Sequence, residues 1–62
     1  MDMTTQDFLK KALLDTQERV RDFMQYADQI EDKKLKTYFK EYAETEGRQA
    51  RQLRSFVEDM CD

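Results

Sequence analysis

The sequence predicts an all-α protein: an antiparallel two-helix hairpin that pairs with a second copy to form a four-helix bundle. Strong helix formers dominate the 62 residues, and proline, the residue that would interrupt them, is absent. Apolar residues recur in two runs at heptad spacing, with one break between the runs. A chain this short has room for only a small core, and its single cysteine allows no intrachain disulfide, so we expect self-association.

We predict the first helix over about residues 5–29. Thr4 is an N-cap type of residue, and Asp7 stands three positions later, where a capping box has its acid. Asp2 and Asp7 also suit the positive end of the helix dipole. The apolar row of this helix steps by four and three residues and consists of Leu9, Leu13, Thr16, Val20, Phe23, Ala27 and Ile30.

We predict a turn at about residues 30–32 and a second helix over about 33–60. Asp32 is again an N-cap type of residue, placed just where the first apolar row ends. The row of the second helix has the same spacing and consists of Leu35, Phe39, Tyr42, Glu46, Gln49, Leu53, Phe56 and Met60. Two such rows predict packing along one seam, so residues 1–62 form a single helical-hairpin domain.

A second apolar stripe flanks each predicted seam. Two helices bury only the strip between them, so this stripe needs a partner surface, and the simplest partner is a second copy about a two-fold axis. The dimer-interface candidates are Ala12, Met24, Tyr26, Tyr38, Ala43, Ala50 and Val57. Lysines near the turn and acids near the termini favour an antiparallel over a parallel dimer, but screening makes this preference small.

The predicted seam contains a polar layer at mid-height. Thr16 and Glu46 are equidistant in sequence from Glu31 at the turn, and Gln49 lies one helical turn beyond Glu46. A buried carboxylate must be paired, hydrogen-bonded or metal-bound. The layer of Thr16, Glu46 and Gln49 therefore either fixes register, binds a cation, or lines a water-filled groove. Gly47 marks a close helix approach or is a tolerated surface glycine.

Three segments carry a resemblance to a known family. Residues 39–53 contain A-x-x-E-x-x-Q-A, and they resemble the second helix of a rubrerythrin-type, ferritin-like half-bundle, whose iron-binding segment is A-x-x-E-x-x-H-A. Residues 21–27 and 31–36 are similar to that family's first helix and turn. The resemblance implies a ferritin-like bundle built as a homodimer of hairpins.

The departures from the family pattern concern the iron ligands. Gln49 stands where the family has its histidine, and Thr16 or Gln17 stands where it has the glutamate of the first helix. Glu46 is the one candidate metal ligand that remains. The resemblance therefore implies a bundle whose metal chemistry has been lost or reduced.

Composition removes several classes of function. Without histidine there is no Ser-His-Asp or Cys-His catalytic arrangement and no imidazole metal ligand. Eleven basic against fourteen acidic residues disfavour nucleic acid as a partner. No apolar run suits a membrane span or a signal peptide, so we expect a cytoplasmic protein that does not bind membranes, with Cys61 as a reduced thiol.

Two hypotheses about function follow. The first is a non-enzymatic structural or interaction module: a homodimer with no catalytic residues and no cofactor, which can present its surface to an unidentified protein partner. The alternative is a degenerate ferritin-like iron-binding protein with a reduced site around Glu46. The missing histidines favour the first hypothesis.

Overall fold

The computed structural model describes residues 4–60, which form a hairpin of two packed α-helices. Helix α1 spans Thr5–Gln29 and helix α2 spans Lys33–Met60, the ranges that the sequence predicts. The hairpin is flat, with extents of 44 × 23 × 11 Å, so it has two broad faces. The predictions on Asp2 and Cys61 lie outside the described residues.

Local hydrogen bonds explain where both helices begin. At α1, the Thr4 hydroxyl accepts from the Asp7 N–H and the Asp7 carboxylate accepts from the Thr4 N–H, both at 3.1 Å. At α2, the Asp32 carboxylate accepts from the Leu35 N–H at 2.9 Å. Both predicted caps are confirmed, because each satisfies an N–H that has no partner within its helix.

The turn consists of three residues in ordinary backbone conformations. Ile30 ends α1 with extended φ and ψ of −84° and 127°, and its N–H donates to the Tyr26 carbonyl at 3.1 Å. No described residue has a positive φ, so the turn requires no glycine. Because the connection is so short, α2 packs antiparallel to α1.

The centre of the helix contact is built from small side chains. The buried residues are Thr16, Ala27, Ala43 and Ala50, at 0–8% exposure. The larger members of the α1 row flank this line and are half-buried; they are Leu9, Leu13, Val20, Phe23 and Ile30. The predicted α1 row is therefore confirmed, and no large side chain among residues 4–60 is fully buried.

The predicted α2 row is wrong at four of its eight positions. Gln49 is exposed, and three other members, Leu35, Phe56 and Met60, are 43–49% exposed. The residues one position later take the contact: Ala43 and Ala50 are buried, and Val57 is half-buried. Small residues allow close approach of the two helices, whereas the bulky residues that dominate an apolar pattern lie beside the contact.

The same finding corrects part of the predicted dimer interface. Ala43 and Ala50 are 2% and 8% exposed within a single hairpin, so α1 already covers them. The idea that they need a second copy is therefore wrong. Neither helix, over the residues that the structure describes, is long and apolar enough to cross a membrane.

Candidate interaction faces and the central ion pair

An aromatic cluster covers one broad face near the turn. The ring of Phe23 stacks on that of Tyr42, with centroids 4.2 Å apart and planes 15° apart. The centroid of the Phe39 ring lies 5.2 Å from that of Phe23, and Tyr26 and Tyr38 meet Phe39 in edge geometry with centroids 6.2–6.3 Å away. The cluster joins both helices and leaves its outer tyrosines in water, at 48% and 58% exposure.

Further large apolar residues continue this face along the hairpin. Leu35 lies three residues before Tyr38 on α2, and Phe56 lies fourteen residues after Tyr42, so helical spacing places both on the side of the cluster. We call the following set of exposed residues the aromatic face: Phe8, Tyr26, Leu35, Tyr38, Phe56 and Met60. Its α2 members, Tyr38 excepted, belong to the heptad row that the sequence assigns to the hairpin seam.

An ion pair occupies the middle of the aromatic face. Arg19 Nε donates to Glu46 Oε1 at 3.2 Å, with side-chain exposures of 47% and 16%. A second donor of Arg19, Nη2, lies 3.3 Å from the Thr16 hydroxyl, which itself donates to the Ala12 carbonyl at 2.8 Å. Among residues 4–60, every buried side-chain polar atom has a hydrogen-bond partner.

The structure brings together two of the three predicted polar-layer residues. Thr16 and Glu46 are linked through Arg19, which sequence reasoning missed. Arg19 stands three residues after Thr16, and this spacing signals that the two share one side of α1. The predicted position of Gln49 in the seam is wrong, because its exposed side chain instead lines a shallow groove of about 360 Å³ with Tyr38, Tyr42 and Glu46.

The remaining dimer-interface candidates divide between the two faces. Tyr26 and Tyr38 belong to the aromatic face. Ala12 is half-buried and lies seven residues before Arg19, on the same edge of α1. Met24, which is 43% exposed, lines a groove on the other broad face. The dimer-interface candidates therefore do not form a single stripe on one side of the hairpin.

We call the groove on the other broad face the Gly47 groove. It is open to solvent, has a volume of about 460 Å³ and is lined by Val20, Met24, Ala43, Glu44, Gly47, Arg48 and Arg51. A Cβ atom built on Gly47 would meet no other atom within 4 Å. Close approach of α1 therefore does not explain this glycine, contrary to one of the two readings of the sequence.

The Glu46 carboxylate is already engaged by a cation, the Arg19 guanidinium. Within the part of the chain that the structure describes, no three His, Cys, Asp or Glu side chains are grouped closely enough to hold a metal ion. A metal ion at Glu46 would have to displace a hydrogen-bonded guanidinium and would gain few other ligands. Within one chain, the site therefore consists of the Arg19–Glu46 ion pair with exposed aromatic residues around it.

A scan against protein-family models, a search of curated proteins and a search of solved structures each return no significant match to this chain.

Proposed function

We propose that this chain is a non-enzymatic interaction module that works as a homodimer, in which two aromatic faces pack to form a four-helix bundle. The observation that carries the proposal is the aromatic face itself. Six large apolar side chains are 43–60% exposed there, whereas the buried residues of the described chain are only Thr16, Ala27, Ala43 and Ala50. Packing them against a second copy would remove them from water.

The size of the face fits a stable interface. A broad face of 44 × 23 Å presents on the order of 1000 Å², whereas each partner in a stable complex buries about 800 Å². The α2 edge of the face also has heptad spacing, which is typical of a surface that packs against another helix. The resulting bundle of two hairpins would have the ferritin-like arrangement that the resemblance implies.

The central ion pair favours one orientation of the two copies. If both turns lie at the same end, α1 of each copy packs on α2 of the other, so Arg19 faces Glu46 across the interface. If the turns lie at opposite ends, α1 packs on α1 and α2 on α2. Arg19 then faces Arg19 of the other copy, and Glu46 faces Glu46. We propose the arrangement with both turns at the same end, because four alternating charges attract along every side of the square.

This orientation differs from the one that the charges at the hairpin ends favour. Lys33, Lys34 and Lys40 near the turn are exposed, and solvent ions screen their repulsion. The Arg19–Glu46 pair would instead lie in the middle of the interface, where screening is weak and a mispaired charge is costly. The Arg19 contact therefore outweighs the lysines in our proposal.

A pair of matched variants tests the homodimer. Tyr38→Glu places a charge on the aromatic face, whereas Leu14→Glu places the same charge on an equally exposed apolar residue two positions before the buried Thr16, on the far side of α1. In sedimentation equilibrium we expect wild type and Leu14→Glu to be dimers and Tyr38→Glu to dissociate at least about ten-fold more readily.

Two results would contradict the proposal. A wild-type chain that stays monomeric over about a hundred-fold range of concentration would remove the homodimer. Equal dissociation of the two variants would show that copies associate through a different surface.

A further inference from the structure

Gly47 is the starting point, because nothing within the hairpin accounts for it. A glycine in the interior of a helix is less favourable than alanine. At Gly47 no neighbouring atom would contact a Cβ, and the backbone is ordinary helix, so a side chain would fit without strain. The glycine therefore does not stabilise the hairpin. Its missing side chain does, however, make the groove deeper at its floor.

The floor and the rim of the Gly47 groove have different chemistry. The half-buried Val20 and the 43% exposed Met24 supply most of the apolar surface, above the buried Ala43. Arg48 and Arg51 lie at the α2 rim together with one acid, Glu44. An unbranched methionine on such a floor can adapt to several apolar side chains.

Basic residues also extend along α2 on either side of Gly47. Lys40 lies seven residues before it and Arg54 seven residues after it, so both share its side of the helix. Arg54 has one exposed acidic neighbour, with its Nε 3.6 Å from Glu58 Oε1. Arg48 donates to the Thr45 hydroxyl at 3.3 Å, which leaves its guanidinium able to donate further hydrogen bonds. On this side of α2, cations thus outnumber acids although the whole chain has a net charge of −3.

We infer that the Gly47 groove binds an amphipathic helix of a partner protein, one whose apolar stripe is bordered by aspartate or glutamate. The apolar stripe enters the groove over Gly47, where the missing side chain allows close approach of a second backbone. The acidic border meets Arg48, Arg51 and the neighbouring cations. On α2 this groove and the aromatic face lie on opposite sides of the buried Ala43 and Ala50, so the dimer and the partner can be bound together.

The test measures binding of two synthetic peptides to the full chain by fluorescence anisotropy. Both peptides have leucines spaced four and three residues apart on one side; one has glutamates along the borders of that stripe, and the other has lysines. We expect the glutamate peptide to bind at least about ten-fold more tightly than the lysine peptide, and its affinity to fall as salt is raised. Equal affinities, or no binding of the glutamate peptide, would overturn the inference.

Two variants and one control assign the binding to the groove. Gly47→Leu fills the floor and should weaken binding of the glutamate peptide at least about ten-fold, while raising the melting temperature because leucine favours helix more than glycine does. Arg48→Glu with Arg51→Glu should weaken it at least as much. Lys11→Glu with Lys34→Glu makes the same change in net charge away from the groove and should leave binding unchanged.

The outcome is independent of the homodimer. Sedimentation of the same variants reports the oligomeric state, and the aromatic face is intact in each of them. Unchanged peptide binding by Gly47→Leu, with its melting temperature raised, would show that the peptide binds elsewhere and would refute the proposed groove.

Discussion

Arg19 Nε donates to Glu46 Oε1 at 3.2 Å, and Arg19 Nη2 donates to the Thr16 hydroxyl at 3.3 Å. Sequence reasoning found that Glu46 needs a partner but not which residue supplies it. The reason is physical: an arginine side chain is long enough to reach across a seam from a position at its edge, so backbone position alone does not fix its partner. By contrast, the Thr16 hydroxyl bonds within its own helix, as short polar side chains commonly do.

The ion pair leads to a prediction about two substitutions. Arg19→Met alone leaves the Glu46 carboxylate without its guanidinium, and we expect the free energy of unfolding to fall by more than about 1 kcal/mol. Combining it with Glu46→Leu removes both charges and should restore stability to the wild-type value or above, because apolar replacements of paired charges are often neutral or favourable. Urea denaturation of both variants and of Glu46→Leu gives the coupling energy. Additive effects would show that the pair contributes nothing.

Only some features of each helix are determined by residues nearby in the sequence. Both helix starts follow from nearby residues, Thr4 with Asp7 and Asp32 with Leu35, and the sequence predicts them correctly. The side that α2 turns toward α1 does not follow from local residues. It depends on which residues permit close approach of two backbones, and the row of bulky apolar residues lies one position before Ala43 and Ala50.

The cap of α2 can be tested separately. Asp32→Ala removes the acceptor for the Leu35 N–H, and we expect the free energy of unfolding to fall by about 1 kcal/mol. Glu31→Ala, at the exposed neighbouring position, should change it by less than about 0.5 kcal/mol. Thermal unfolding of the two variants at equal protein concentration provides the comparison. A cost at Glu31 as large as that at Asp32 would mean that the turn is stabilised by something other than the cap.

The whole molecule is a thin plate with two different faces. One face carries exposed aromatic residues around a neutral ion pair, and the other carries an apolar groove with a basic rim. The sequence predicts the two-helix hairpin. It does not predict how residues divide between the faces, because Met24 and Tyr26 are two positions apart and only the direction of the helix contact decides which face each joins.

The proposed orientation of the dimer predicts a distance. A spin label at residue 31, introduced by Glu31→Cys with Cys61→Ser, lies at the turn of each copy. With both turns at the same end, the labels should be within about 20 Å, roughly two interhelical distances. With turns at opposite ends they should be separated by nearly the 44 Å length of the hairpin. The long distance would contradict the orientation, whereas a lack of any dipolar coupling would contradict the dimer.

The small size of the buried residues has a consequence for the life of this chain in a cell. Ala27, Ala43, Ala50 and Thr16 bury little apolar surface. In the proposed dimer, the exposed aromatic side chains would supply much of the stabilisation through association. Folding and pairing would then be one step, and the unfolded fraction would rise as the chain becomes dilute. Proteases act on that fraction. Copies made at a low rate would be degraded before they pair, and the steady-state amount of protein would increase more steeply than its rate of synthesis.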